Sequence, residues 1–266
     1  MMRRRLSARS RVAVLALIGV IGLGSVAGCG KFGKPKEKEA SAAAKVCAPP
    51  TKTPPSPSAT GKHAFATVDI LKPPAGGKFH SCLVAIGKPV QSRMGKTWNS
   101  KCPVKLKDLS YAQVSFIGFD GKPHTGELVV AKKYAKDIVG VFAKLYKAKF
   151  PIQEMRIANS ADRQVSSSFP GNDTVAFNCR KATDSDRWSM HARGEAIDVN
   201  PFVNPYTKGT KVVPKLAGAY VNRSKHRPGM IYPDDQVVKA FASIGWSWGG
   251  DWHSAKDIMH FSSNGT

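Results

Sequence analysis

His191 and Asp198 stand seven positions apart with Gly194 between them, and near the C-terminus Asp257 and His260 stand three apart. Two imidazoles and one carboxylate make the ligand set of a catalytic zinc site, with a fourth position left for water. A further carboxylate is then the candidate general base for that water. Ala196, Ile197 and Val199 around Asp198 read as a short buried strand. A loop hinged at Gly194 and running into that strand can fold the His191 imidazole back beside the Asp198 carboxylate. A lone pair of this spacing is more often a surface or core arrangement than a metal site. What singles this one out is its combination with Asp257 and His260.

The two segments together resemble the zinc peptidase family that holds the D-alanyl-D-alanine carboxypeptidases and the L-alanyl-D-glutamate endopeptidases of phage lysins. The shared elements are Ser189, His191, Gly194, Ala196 and Asp198, then Trp248-Gly249-Gly250-Asp251-Trp252, then Asp257 and His260-Phe261. The resemblance spans about residues 100 to 262. It implies His191, Asp198 and His260 as zinc ligands and Asp257 as the catalytic carboxylate. It also implies a cation that stabilises the oxyanion, either Arg180 or Arg163. Arg180 is preferred, because a disulfide at the neighbouring Cys179 would hold it rigidly, although this stretch departs from the family's usual wording. Ser189 is a candidate substrate contact or a local cap. Trp252 is a candidate substrate contact, with Trp248 and Phe261 explained almost as well by core packing. Asp251 is a candidate partner for a ligand histidine. His124 fits a structural role better than a place in the cleft.

The elements that must position these groups become legible after Cys102. Residues 111–119 alternate as a strand, closed by the turn Asp120-Gly121-Lys122-Pro123, and 127–131 is a second short strand. Residues 133–149 place Ile138, Val141, Phe142 and Leu145 at helical spacing, and Pro151 ends that helix before a strand at 152–158. Residues 233–242 read as a second helix opened by acids, stopped by Gly245. The long Pro-, Gly- and Lys-rich stretch 200–232 is a candidate lid or substrate-side wall. Strands and helices without βαβ alternation indicate an α+β class with an antiparallel sheet. The resemblance adds flanking helices and a zinc site on the sheet face, as in the hedgehog and DD-peptidase folds.

The chain has 41 Lys and Arg against 18 Asp and Glu, a formal charge of +23. Residues 1–28 hold five arginines and no acid, which leaves +18 for the rest. Those arginines, the apolar run 12–26 and the small residues before Cys29 read as a secretory leader. Val26-Ala27-Gly28-Cys29 resembles a bacterial lipoprotein cleavage box, so Cys29 is the expected lipid attachment site. Residues 29–62, rich in Lys, Ala, Ser, Thr and Pro, read as a disordered tether, 63–101 as an N-terminal extension and 102–266 as the peptidase domain. An exported chain sits in an oxidising setting, so Cys47, Cys82, Cys102 and Cys179 are disulfide candidates. Spacing alone selects none of the three pairings. The favoured one joins Cys102 to Cys179, tying the start of the domain to the loop before the first motif, and leaves Cys47 with Cys82.

The expected function is an exported, lipid-anchored zinc metallopeptidase that cuts peptide bonds of bacterial peptidoglycan, as a D-Ala-D-Ala carboxypeptidase or a stem-peptide endopeptidase. Its place would be the outer face of the cytoplasmic membrane. Expected partners are stem peptides, anionic wall polymers held by the positive charge, and the membrane through the lipid; a monomer is expected. The rival reading is a zinc-containing wall-binding module without turnover. A nucleic-acid binder would explain the charge, but no aromatic-basic motif supports it and the leader argues against it.

Overall fold

The computed structural model describes residue 47, residues 49–52, 67, 69, 71–158, 171–183 and 185–266. The expected leader, Cys29, most of the tether and Arg163 lie outside the described residues.

The first sheet is antiparallel. β1 (Ser81–Ala85) is followed by helix α1 (Lys88–Met94), then by β2 (Leu109–Ile117) and β3 (Pro123–Ala131), in the order β1-β2-β3. The stretch expected as an extension thus supplies the edge strand of this sheet. β2 and β3 are joined by the expected turn. Gly118 donates to the Lys122 carbonyl at 2.8 Å, the Asp120 carboxylate accepts from the Lys122 amide at 3.0 Å, and Gly121 takes a positive φ of 74°. β3 begins four residues before the strand expected at 127–131, because its first residues include Pro123, Gly126 and His124, which is buried with a polar partner rather than in an apolar alternation. His124 contacts Asp69 and Asp120 through its two ring nitrogens, a structural role.

Helix α2 (Ala135–Lys147) buries Ile138, Val141, Phe142 and Leu145 against Val114 and Phe116 of β2 and Leu128 and Val130 of β3. Each such side chain contributes roughly 1.5–3 kcal/mol by leaving water. Lys149, at φ 53°, turns the chain out of the helix ahead of Pro151. Of the strand expected at 152–158 only β4 (Glu154–Met155) forms, because its partner β5 (Asp173–Thr174) is equally short. That pair is parallel, unlike the antiparallel pairing expected.

The remaining elements make two further antiparallel sheets of three strands. They are β6 (Ala196–Asp198), β7 (Tyr206–Lys208), β8 (Lys211–Val213), helix α3 (Gln236–Ala242), β9 (Ser247–Trp248), β10 (Lys256–Asp257) and β11 (His260–Ser262). Their orders are β6-β11-β9 and β10-β7-β8. The helix expected from 233 starts at Gln236, because Asp235 caps it by accepting from the Val237 and Val238 amides. The stretch 200–232, expected as a loop, holds the β7–β8 hairpin and a 3-10 helix (Lys215–Tyr220) over a small core of Phe202, Val203, Ala217, Tyr220 and Met230. Arg223 clasps it, donating to the Val203, Tyr220 and Ile231 carbonyls and to Asn204. The fold is therefore mixed α and β with small antiparallel sheets and few helices.

Cys102 is bonded to Cys179 and Cys47 to Cys82. The first ties the chain ahead of β2 to the segment ahead of the His191 turn; the second ties residue 47 to β1. Between α1 and the sheet lies a buried charge cluster. Arg93 forks onto both oxygens of Glu127, and the Tyr111 hydroxyl donates to Glu127 at 2.7 Å. Burial, with the charge of Glu127, pushes the Tyr111 phenol up and keeps it a donor. Glu127→Ala would leave the Arg93 charge buried without its partner. We expect a loss of about 3–5 kcal/mol in urea unfolding, and a change under about 1 kcal/mol would show that the pair is not sealed from water.

Candidate metal centre

Asp198 ends β6, and its backbone is held from both sides. It exchanges hydrogen bonds with Val175 at 2.9 and 3.0 Å on one edge and faces His260 of β11 in antiparallel register on the other. That pairing makes Asp198 and His260 cross-strand neighbours. His191 arrives from a 3-10 turn, Met190–Arg193, whose N-cap is Ser189; the Ser189 hydroxyl accepts from the His191 amide at 3.3 Å. Gly194 closes the turn at φ 70°, where a Cβ would lie 2.6 Å from the Ala131 amide nitrogen. Only glycine takes this conformation at so close an approach to β3 without strain. The turn and strand therefore do what the spacing of His191, Gly194 and Asp198 requires.

His191 Nε2, His260 Nδ1 and Asp198 Oδ1 form a triangle with sides of 3.2, 3.0 and 3.2 Å. His191 Nδ1–H donates to the Ala176 carbonyl at 2.6 Å, and His260 Nε2–H donates to the backbone oxygen of Thr266 at 3.2 Å. Each imidazole thus spends its proton outward, and its other nitrogen turns a lone pair toward the carboxylate. Three lone pairs meeting at this distance repel one another unless a proton or a metal ion lies between them. Ligand atoms about 2.0–2.1 Å from a tetrahedral ion sit about 3.3 Å apart, close to the sides observed. The donor set and its spacing fit a divalent metal ion, and the three residues are buried.

The electrostatics agree. Burial opposes charge on Asp198, but His191 and His260 together hold its carboxyl well below the usual range. Burial lowers the His191 pKa against the pull of Asp198. Burial also opposes charge on His260, yet Asp198 and Asp257 raise its pKa. Asp257 lies beside the triangle on β10, and its Oδ1 is buried without a hydrogen-bond partner. Burial, together with the Asp198 charge, pushes its carboxyl up to about 7, with His260 and Arg180 pulling the other way. A carboxyl so placed exchanges a proton near neutral pH.

These groups open on a cleft of about 520 Å³ lined by Arg180, Ser189, His191, Trp252, Asp257 and His260 among others. The chain through Cys179 and Arg180 lies against the turn, since the Ser189 amide donates to the Arg180 carbonyl at 3.1 Å. The Arg180 side chain donates to the Lys181 carbonyl at 3.2 Å, and its charge reaches His191 and Asp257. Trp252 donates to the Gly265 carbonyl at 2.9 Å, its ring 5.6 Å from that of His260. Trp248 and Phe261 belong to the core, where Phe261 stacks on Phe241 at 4.1 Å. Asp251 is exposed. The outer nitrogens of both ligand histidines are held by the backbone at Ala176 and Thr266 instead, a role that any residue type can fill and that leaves no mark in a sequence.

The glycines of the second motif have a steric reason. A Cβ on Gly249 would lie 2.6 Å from the Asp257 carbonyl oxygen, and one on Gly250 would lie 2.3 Å from the Trp248 ring. The chain must pass this close for β10 and β11 to present Asp257 and His260 to the same point.

Residues 183–263 match the family model described as D-alanyl-D-alanine carboxypeptidase. The match takes in His191, Asp198, Asp257 and His260 and is narrower than the span of the resemblance drawn from the motifs. No curated protein and no solved structure matches the chain.

Two outcomes follow from this geometry. Gly249→Ala should push β10 from its place and lower metal affinity about 10–100-fold, read by competition with a chelating dye; unchanged affinity would mean that the close approach is not needed. In the metal-free protein, folded Asp257 keeps its proton up to about pH 7, whereas in the unfolded chain it is released near pH ~4. The group therefore favours the fold below about pH 4, and that contribution is lost as pH rises toward 7. Asp257→Asn should gain stability relative to wild type over this interval and level off above it, in urea titrations with chelator present. A difference independent of pH would overturn the assignment of a buried, unpaired carboxyl.

Proposed function

We propose that this chain is an exported, lipid-anchored zinc peptidase acting on the peptide part of bacterial peptidoglycan, at a D-amino-acid bond. The observation that carries the reading is the convergence of His191, Asp198 and His260 beside the unpartnered Asp257, inside the stretch that matches the carboxypeptidase family. His191 Nε2, His260 Nδ1 and Asp198 would hold the ion. Zinc, when bound, supplies a Lewis acid and lowers the pKa of water toward ~7.

The chain's own residues do the rest. Asp257 takes a proton from the attacking water and returns it to the leaving amine, a task suited to a carboxyl with a pKa near neutrality. Arg180, on the cleft wall, supplies positive charge for the carbonyl oxygen as it becomes an oxyanion. Trp252, packed over His260, walls the cleft beside the scissile bond. The small sheet β6-β11-β9 that pairs Asp198 with His260 supports a fold of the hedgehog and DD-peptidase kind. Export is supported by the leader-like residues 1–28 and by two disulfides, which form in oxidising compartments. Acylation of Cys29 and retention by anionic wall polymers complete the proposal.

The test is a zinc-dependent digest of a defined pentapeptide and of cross-linked muropeptides, read by mass spectrometry. Wild type should release a D-alanine or a cleaved bridge, and chelator should stop it. Asp257→Ala should retain zinc and lose about 10²–10⁴-fold in rate, whereas His260→Ala should lose both. A wild type that binds wall fragments and zinc but yields no product would leave the wall-binding module in place of the enzyme.

A further inference from the structure

Among the described residues the large apolar side chains most open to solvent are Val213 at 41%, Leu216 at 61% and Val221 at 42%, all within nine residues of chain. Val213 ends β8, Leu216 lies in the 3-10 helix that packs on it, and Val221 caps that helix. Residues 199–233 carry Lys208, Lys211, Lys215, Arg223, Lys225 and Arg227 and no Asp or Glu. Lys208, Lys211, Lys215 and Lys225 are exposed; Arg223 is turned inward to clasp the segment. The same few residues therefore present apolar tips set among cations.

We propose that this face, β8 with the 3-10 helix Lys215–Tyr220, docks on an anionic lipid surface. An exposed leucine costs free energy in water that a charged polymer cannot recover, whereas the interfacial zone of a bilayer accepts apolar tips and surrounding lysines together. The absence of acids from 199–233 makes the partner anionic, since each lysine near such a surface strengthens binding about fivefold. The face is rigidly built: Ala217 and Tyr220 anchor the 3-10 helix in the core with Phe202 and Met230, and the Arg223 clasp fixes its far end. β7 is shared, pairing with β8 on one edge and with β10, the strand of Asp257, on the other. Docking would therefore fix the height of the cleft above the lipid through one small sheet. The proposal concerns a contact surface and is read without any turnover, so it stands or falls separately from the peptidase reading.

The experiment uses the full chain with vesicles of phosphatidylcholine alone and of phosphatidylcholine containing phosphatidylglycerol. Amide hydrogen exchange over 206–227 is the readout, because the apolar run at 12–26 can hold the chain to either vesicle by itself. Exchange at 211–221 should slow on the anionic vesicles and not on the neutral ones. Lys211→Gln with Lys215→Gln should weaken the anionic-vesicle interaction about thirtyfold. Leu216→Ser with Val221→Ser should weaken it about tenfold or more, with thermal melting unchanged because both sites are exposed. No protection on anionic vesicles would overturn the proposal. So would protection that survives Leu216→Ser with Val221→Ser and is reproduced by soluble polyphosphate, which would make the face a polyanion site.

Discussion

Three lone pairs aimed at one point is the constraint around which this structure is arranged. With an ion bound, neutral His191 and His260 would each keep their single proton on the outward nitrogen, against Ala176 and Thr266. The inward atoms of His191, His260 and Asp198 lie 3.0–3.2 Å apart, and without a metal a proton on His260, whose pKa is raised because burial is outweighed by Asp198 and Asp257, bridges to the Asp198 carboxylate. A divalent ion would take the place of that proton and meet all three atoms at once. Binding of such an ion and stability of this end of the fold would therefore be linked, as they are wherever a preformed site binds a metal only when folded.

Much of the surrounding architecture serves to make that convergence affordable. The backbone of Asp198 is clamped between Val175 and β11, which fixes the point from which its carboxylate reaches the two imidazoles. Phe241, Phe261 and Trp248 fill the space behind β11 and fix the strand that carries His260. Two close approaches, at Gly194 against β3 and at Gly249 against Asp257, set the depth at which each ligand segment lies. The Cys102–Cys179 disulfide and the Ser189–Arg180 hydrogen bond hold the cationic wall of the cleft against the His191 turn. Asp257 then stands as a carboxyl with a buried, unpartnered oxygen beside the three converging side chains.

The positive charge is not spread evenly in its consequences. Around the Asp257 pocket it is local and specific, in the reach of Arg180 to His191 and Asp257. Over 199–233 it is collective, gathered on a subdomain that has its own small core and exposes the apolar tips described above. The two are joined by strand pairing across β7.

Residue types and order alone picked out His191, Asp198 and His260, the cluster that the fold brings together as a candidate metal centre, and helix α2, because its apolar side chains repeat at 3.6 residues. The leader-like N-terminus and the even number of remaining cysteines were equally readable, being matters of composition. Tertiary structure decided what composition cannot encode. Glu127 is buried in β3 because its charge is paired by Arg93 from a distant helix. The stretch 200–232 reads as a loop because its strands are three residues long and its core is completed only by packing. Asp251 falls outside the site while two backbone oxygens orient the histidines. Side-chain identity carries the chemistry, but which nitrogen holds the proton is settled by backbone atoms that every residue possesses, and only the folded chain brings those within reach.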